Sequence, residues 1–482
     1  MPRKGRRTLS RRLLRKLRAL PDHDTTGVDA LRKERRELDM CSGPILKGII
    51  AFAIPIMIMN LLQLLFNAAD TIVVGRFNGK EAMAAVGATG SLVNLLVNLF
   101  MGLSVGASVV VAQEYGARSQ GGVTRAVHTS MTLSAIGGVT VMLLGLTLSR
   151  PMLELMGTPE DILDLSSLYL RIYFIGMPAN LVYNFGAAIL RAVGDSRRPM
   201  IFLSISGCVN VGLNIIFVAC LNMSVAGVAW ATVISQYLSA ALVVGFMIRS
   251  ESAVRLSLRH LRIHKEAFTR VLRIGVPAGL QGMLFSVSNV LVQSAVNSFG
   301  STMVAAATAA SNIQGLTDTA NNALYNSAIS FTGQNVGAQR FDRVKGIARA
   351  CGVLVMICWV LICGAMLLFG RQLLSIYTSD PEVIELGMTR ITVMNVVYFT
   401  GSFMSVIPGI TRGMGQSFAP MLCTLIGACL LRVIWLMTVF TWWPTIVCLY
   451  LCYPVTWAIT AIGQFFIYKS TLKKVSAAAQ TA

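Results

Sequence analysis

Charged side chains are scarce in this chain of 482 residues: only 13% are Asp, Glu, Lys or Arg, whereas 55% are hydrophobic. Acidic residues are the scarcer kind, with 21 against 41 basic residues. There are only 4 histidines, and the 10 cysteines show no CxxC or Cys/His spacing of the zinc type. A soluble fold could not bury so much apolar surface. The composition therefore excludes a soluble globular protein, argues against a metal centre and indicates a polytopic membrane protein.

The hydrophobic residues fall in long runs. A window of about 20 apolar residues is long enough to cross a bilayer as a helix. We therefore predict an all-α membrane protein with about twelve transmembrane helices. The predicted spans lie near 48–75, 83–112, 126–149, 162–187, 199–221, 225–248, 274–298, 303–332, 347–369, 384–410, 419–441 and 446–468.

Basic residues concentrate in alternate loops, on the side shared with the N-terminus. Because Lys and Arg in short loops are retained in the cytoplasm, we expect both termini to be cytoplasmic and the protein to lie in the cell's inner membrane, in contact with its lipids. The net charge of +20 then reflects topology and a basic tail, residues 1–43, and requires no nucleic acid. Three alternatives stay open for this tail: a helix on an anionic membrane surface, a solvated segment, or translation that begins at Met40.

Asp70 is the single charged residue between Gly48 and Val74, within the first predicted span. A charge at the centre of a membrane helix costs about 2.5 to 3.5 kcal/mol on insertion scales. Such carboxylates are usually functional. The natural roles for Asp70 are cation binding, proton carriage or both.

The two halves of the chain repeat each other. Residues 190–200 match residues 411–421, and residues 113–117 match residues 334–338, both at an offset of about 221 residues. An even number of helices per repeat relates the halves by an axis along the membrane normal, with a cavity between two bundles that alternates its access. We therefore expect two pseudo-symmetric six-helix bundles. The predicted domains are the bundles 44–248 and 273–470, a cytoplasmic linker 249–272 and a cytoplasmic C-terminal tail 471–482.

Together these patterns resemble the multidrug and toxic compound extrusion (MATE) antiporters, whose superfamily also holds lipid-linked oligosaccharide flippases. The resemblance covers residues 44–470. The matching segments are the stretch from Pro55 to Arg76, the Ala-Val-Gly at 85–87 and the two arginine loops that begin near residues 190 and 411.

The resemblance implies a monovalent cation site formed by Asp70, Asn210, Asn214 and Thr232. Asn210 and Asn214 share one helix face, and the oxygen atoms of all four side chains suit a small hard cation. Many relatives carry an aspartate where this chain has Asn214. The site would then hold one charge, so the coupling ion is left open between Na⁺ and H⁺.

Other polar residues of the predicted spans are candidates for the cavity wall. Their structural role as hydrogen bonds between helices is at least as common. A cytoplasmic gate held by ion pairs of Glu114, Arg191 and Arg412 is a further hypothesis. The candidate cavity residues are Gln63, Asn67, Tyr183, Asn184, Gln281, Asp318, Asn395 and Tyr398.

These features predict a secondary antiporter that exports amphiphilic, cationic organic compounds in exchange for Na⁺ or H⁺, with no cofactor and no obligate protein partner. A flippase for lipid-linked precursors is the main alternative, although few Lys or Arg in the spans argue against a pyrophosphate site. An intramembrane enzyme is disfavoured because the spans contain no HExxH and no Ser/His or paired-acid constellation. An ion channel is disfavoured by the duplicated carrier layout.

Overall fold

We describe the protein from a computed structural model, which covers residues 38–156 and 158–480. Most of the predicted basic tail therefore lies outside the described residues. Within them all regular structure is helical, in agreement with the predicted all-α fold. The helices are α1 (Ile45–Gly116), α2 (Gln120–Leu155), α3 (Glu160–Ile175), α4 (Met177–Ala192), α5 (Arg197–Asn214), α6 (Ser224–Arg249), α7 (Lys265–Asn297), α8 (Ser301–Gly337), α9 (Phe341–Cys358), α10 (Gly364–Ser375), α11 (Pro381–Asn395), α12 (Tyr398–Gly413), α13 (Phe418–Thr424), α14 (Leu431–Met437), α15 (Val439–Trp442) and α16 (Ile446–Gln480), with π-helical turns at Ile215–Cys220, Trp359–Cys363 and Leu425–Leu430 and a 3₁₀ turn at Leu258–His260.

The backbone of α1 is helical throughout, but the helix is not straight. A straight helix of 72 residues would be about 108 Å long. Both of its ends nevertheless reach the same part of α8. The Met40 carbonyl, just before α1, accepts a hydrogen bond from Asn335 at 3.0 Å, and Gly116, at the end of α1, packs on Gln334. The chain therefore reverses between the two apolar stretches Ile45–Asp70 and Val97–Gly116, and α1 supplies two spans.

The described residues contain nine helical stretches long and apolar enough to cross a membrane. Two more spans result when each bent pair of helices counts as one, α3 with α4 (48°) and α11 with α12 (54°). α8, with 37 residues, is also long enough to cross a membrane, but its Thr, Asn, Gln and Asp side chains make it less apolar than these stretches. With α8 included, the prediction of about twelve transmembrane helices is confirmed.

The two bends occupy equivalent places in the two repeats. The first lies at Gly176, and Pro178 in the first turn of α4 explains it, because proline lacks an N–H and blocks continuation of the preceding helix. The second lies at Val397, between α11 and α12. Each repeat thus breaks its fourth span near the middle.

The segment between the two halves is shorter than predicted. α7 begins at Lys265, so the last part of the predicted linker 249–272 is helical. The rest of the linker is fixed on α2, because Ser257 donates a backbone hydrogen bond to His128 at 3.1 Å and the His264 backbone donates to Thr129 at 3.0 Å. Partial burial lowers the pKa of His264, and the positive charges of two neighbouring arginines lower it further. The predicted C-terminal tail is also helical, since α16 runs to Gln480.

Glycines bring α1 and α7 into backbone contact. A Cβ added to Gly102 would lie 2.0 Å from the nitrogen of Gly279, and one added to Gly106 would lie 2.3 Å from the carbonyl oxygen of Val271. Small residues allow such close packing in membranes, where apolar side chains gain little by leaving lipid. This seam joins the two halves along one side of the space between them.

Candidate functional site

A cavity of about 680 Å³ lies between the two halves. The first half contributes residues of α1, α3, α4, α5 and α6 to its wall, and the second half contributes residues of α7, α8, α12 and α13. Its volume falls in the range of pockets that hold drug-sized molecules. Four of its lining residues are charged: Asp70, Arg191, Asp318 and Arg412.

Asp70 lies at one end of a chain of polar contacts in the first half. Its carboxylate accepts a hydrogen bond from the Asn214 amide. The same Asn214 amide lies 3.4 Å from Asn210 Oδ1, and the Asn210 amide lies 3.5 Å from the hydroxyl of Thr232. The structure thus brings together the four residues of the proposed cation site, from α1, α5 and α6.

Asn214 is fully buried, yet its Oδ1 atom has no hydrogen-bond partner among the described residues. Leaving a buried polar atom unpaired costs about 1 to 3 kcal/mol. A cation beside Asp70 would give this oxygen a partner, and carboxylate, amide and hydroxyl oxygens are the ligands that hard cations prefer. The arrangement can therefore hold a small monovalent cation, and a proton on Asp70 is the alternative.

The second half also presents an acid to the cavity. Asp318 of α8 accepts a hydrogen bond of 2.8 Å from the hydroxyl of Tyr398, at the start of α12. Arg390 lies close enough to interact electrostatically with Asp318, while its guanidinium donates to the Ala307 carbonyl at 2.7 Å. Asp318 is thus held by one hydroxyl and faces the same cavity as Asp70.

The other candidates from the sequence divide into two groups. Asn395 is buried behind the wall, where its amide contacts the sulfur of Met366 and its carbonyl accepts from Trp359. Tyr398 is likewise buried and reaches the cavity only through Asp318. The candidates that line the cavity are Gln63, Asn67, Tyr183, Asn184, Gln281 and Asp318.

Arg191 and Arg412 differ from their predicted position. Both residues line the cavity and lie in the last turn of a helix, α4 or α12, instead of in a loop. We call the end where they lie the arginine end. Arg412 donates to the hydroxyl of Tyr325 and, at 2.7 Å, to Gln281 Oε1. The duplicated arginine motif was the signal that could have revealed this pair.

Two reciprocal hydrogen bonds link the two halves at the arginine end. The Gln113 amide of α1 donates to the Gly413 carbonyl at 2.9 Å, and the Gln334 amide of α8 donates to the Ala192 carbonyl at 2.8 Å. Each glutamine belongs to one half and each acceptor to the other, at equivalent positions of the repeat. We call this pair of bonds the amide latch. It explains why both short motifs of the sequence are duplicated.

The predicted ion pair of Glu114 exists with another partner. Arg270 of α7 donates to Glu114 and also, at 2.9 Å, to Gln113 Oε1. This arginine therefore fixes the orientation of the Gln113 side chain, which leaves the Gln113 amide free for the latch. At this end the two halves are thus joined by amide hydrogen bonds and by an ion pair of Glu114 whose partner, Arg270, the sequence did not reveal.

The sequence matches the MatE family over residues 55–217 and again over residues 277–438. The chain belongs to the MatE family. The two matched stretches begin at the paired prolines Pro55 and Pro277, so the family match itself falls twice on the internal repeat. MatE proteins are transporters and not enzymes, and no cofactor is needed for that activity.

Curated relatives and a solved structure extend this assignment. The chain is 28% identical over 373 residues to the "Probable multidrug resistance protein YoeA" of Bacillus subtilis, covering 73% of this chain and 78% of the relative. It is also 28% identical to the "Probable multidrug resistance protein YpnP" of the same organism, covering 82% and 88%. An outward-facing structure of a multidrug resistance MATE family transporter has the same fold, with a TM-score of 0.85 at 23% identity, covering 92% of this chain and 99% of that one. The chain is thus a polytopic transporter of a multidrug efflux family.

Proposed function

We propose that this MatE transporter is a secondary antiporter that exports amphiphilic, cationic organic compounds in exchange for Na⁺ or H⁺. The observation that carries the proposal is the position of Asp70. Its carboxylate faces the cavity between the halves and contacts Asn214, whose buried Oδ1 has no partner among the described residues. A coupling ion and a substrate would therefore share one cavity.

A shared cavity supplies the coupling that antiport requires. A cation bound at Asp70, with Asn210, Asn214 and Thr232 as neighbours, changes the charge of the wall that a cationic substrate meets. Binding of one then weakens binding of the other, and such coupling is reciprocal. The acids Asp70 and Asp318 attract cationic compounds, and the volume of about 680 Å³ fits an amphiphile.

Alternating access follows from the repeat. Rocking of one half against the other would break the amide latch and open the arginine end while the opposite end closes. In this proposal the arginine end faces the cytoplasm, both termini are cytoplasmic, and the protein works in the inner membrane without an obligate protein partner. The wall residues Gln63, Asn67 and Asn184 would contact the substrate.

Reconstitution tests the proposal directly. The wild type, Asp70→Asn and the control Asp164→Asn are placed in liposomes, and a fluorescent organic cation such as ethidium is followed under a Na⁺ gradient and under a pH gradient separately. Asp164 is exposed, pairs with Arg150 and does not line the cavity, so its replacement also removes one carboxylate but leaves the site intact.

We expect gradient-driven dye movement in the wild type and in Asp164→Asn, and its loss in Asp70→Asn. The gradient that drives movement identifies the ion. Undiminished coupled movement in Asp70→Asn would contradict the role of this carboxylate. Movement under neither gradient in the wild type would contradict ion-coupled export of cations.

A further inference from the structure

Arg191 and Arg412 are equivalent residues of the two repeats, and both face the cavity. Their side chains are largely shielded from outside solvent, since the relative exposure is 9% for Arg191 and 4% for Arg412. A guanidinium stays charged at every pH at which proteins are folded. Two permanent positive charges are therefore fixed in the wall at the arginine end.

The described residues do not neutralise these charges. Arg191 makes no hydrogen bond or ion pair with any of them, and Arg412 keeps its Nε without a partner although two neutral groups accept from its other nitrogens. The two acids of the wall are engaged elsewhere, Asp70 with Asn214 and Asp318 with Tyr398. An enclosed charge without a partner is costly, and a ligand that supplies the counter-charge removes that cost.

The geometry of a guanidinium selects the ligand. Its N–H groups form a planar fork that matches the two oxygens of a carboxylate or the oxygens of a phosphate. We propose that Arg191 and Arg412 bind an oxyanion group, carboxylate or phosphate, carried by the transported amphiphile. The proposal rests on the transport function above and adds a preference to it: a substrate with an anionic group at the arginine end, besides any basic group near the acids, binds more tightly than one without it.

The test uses two dyes that differ only in this group: a rhodamine with a free carboxylate and its methyl ester. Their binding to purified protein in detergent is measured by fluorescence polarisation, without any ion gradient. Variants are Arg191→Gln, Arg191→Lys and the control Arg371→Gln, an exposed arginine paired with Glu385 outside the cavity.

We expect the free acid to bind more tightly than the ester in the wild type. Arg191→Gln should weaken binding of the acid about tenfold or more and leave binding of the ester unchanged. Arg191→Lys should restore part of the difference, because it keeps the charge but loses the fork. Arg371→Gln should change neither dye. Retained ester binding in Arg191→Gln also shows that this variant is folded.

Competition distinguishes the two sources of the oxyanion. Short-chain phosphatidylglycerol is compared with phosphatidylcholine of the same chain length as a competitor of the acid dye. Displacement by the anionic lipid alone, lost in Arg191→Gln, identifies a lipid headgroup whose phosphate is not neutralised by a neighbouring cation as the ligand. No displacement by either lipid assigns the site to carboxylated amphiphiles.

Equal affinity for acid and ester in the wild type would overturn the proposal. An equal loss of both dyes in Arg191→Gln, with Arg371→Gln unaffected, would overturn it too, since it shows general damage to the cavity. Failure of antiport would appear separately, as absent gradient-driven movement in liposomes while selective binding of the acid persists.

Discussion

Gly116 of α1 and Gly337 of α8 allow the two halves to touch at the arginine end, because neither has a side chain. A methyl group added to Gly116 would lie 2.0 Å from the carbonyl oxygen of Gln334, and one added to Gly337 would lie 1.9 Å from that of Gln113. Ordinary van der Waals contact begins at 3.4 Å. The double variant Gly116→Ala/Gly337→Ala must therefore separate the two backbones by about 1.5 Å.

This separation breaks the amide latch. Its hydrogen bonds of 2.9 Å and 2.8 Å would lengthen beyond hydrogen-bonding reach. Each such bond contributes about 0.5 to 1.5 kcal/mol net. The closed state should then lose about 1 to 3 kcal/mol, which shifts the equilibrium toward opening of the arginine end roughly 5- to 150-fold.

Pulsed electron spin resonance measures the shift. Spin labels are attached to cysteines at Gln120 and Asp342, exposed residues at the starts of α2 and α9, in a background whose natural cysteines are replaced. The double variant should move population from the short distance of the closed state to a longer one. Gly121→Ala is the control, since a Cβ there meets no atom within 4 Å. An unchanged distance distribution in a folded double variant would refute the closure role of the two glycines.

Three further predictions concern single residues. Asn214→Ala removes the unpaired Oδ1 atom that would serve as a ligand, so Na⁺ as the coupling ion should bind about tenfold more weakly. The half-saturating Na⁺ concentration for transport measures this, and an unchanged value in a Na⁺-driven transporter would contradict the site. The pKa of His264 is lowered in the fold, so the unfolded chain takes up its proton first and the fold loses stability as pH falls below 6.5 toward that pKa. His264→Gln should therefore flatten the decline of the melting temperature between pH 7 and 5. An equally steep decline in the variant would exclude this histidine as its source. Asn335→Ala leaves the Met40 carbonyl with only a long contact of 3.5 Å from Arg343. It should lower the melting temperature at every pH, with a loss of about 0.5 to 1.5 kcal/mol, whereas an unchanged melting temperature would show that this bond contributes nothing.

The fold could be predicted from the sequence because a bilayer allows few solutions. Backbone groups in lipid must pair within their own segment, so each long apolar run becomes a helix. Apolar windows report only the part of a helix that lies in lipid, which is why they missed the early start of α7 and the extension of α16 to Gln480.

The candidate site was predicted unevenly. An acid alone in an apolar span stands out, so Asp70 was found from composition, whereas its partners Asn210, Asn214 and Thr232 required the family resemblance. Arg191 was misplaced because basic residues next to a loop are normally assigned to that loop. Charge statistics give the level of a residue in the membrane, but the direction of its side chain depends on how the helix packs.

The carbonyls that the amide latch holds belong to Ala192 and Gly413, each directly after Arg191 or Arg412 in the chain. The latch therefore binds the backbone of the residue that follows each arginine. In the proposed oxyanion site, a shift of either arginine toward a bound molecule would reach the bond between the halves through the backbone of one neighbouring residue. Recognition of the transported molecule and opening of the arginine end would thus depend on neighbouring residues, and the duplication of the chain provides this arrangement twice.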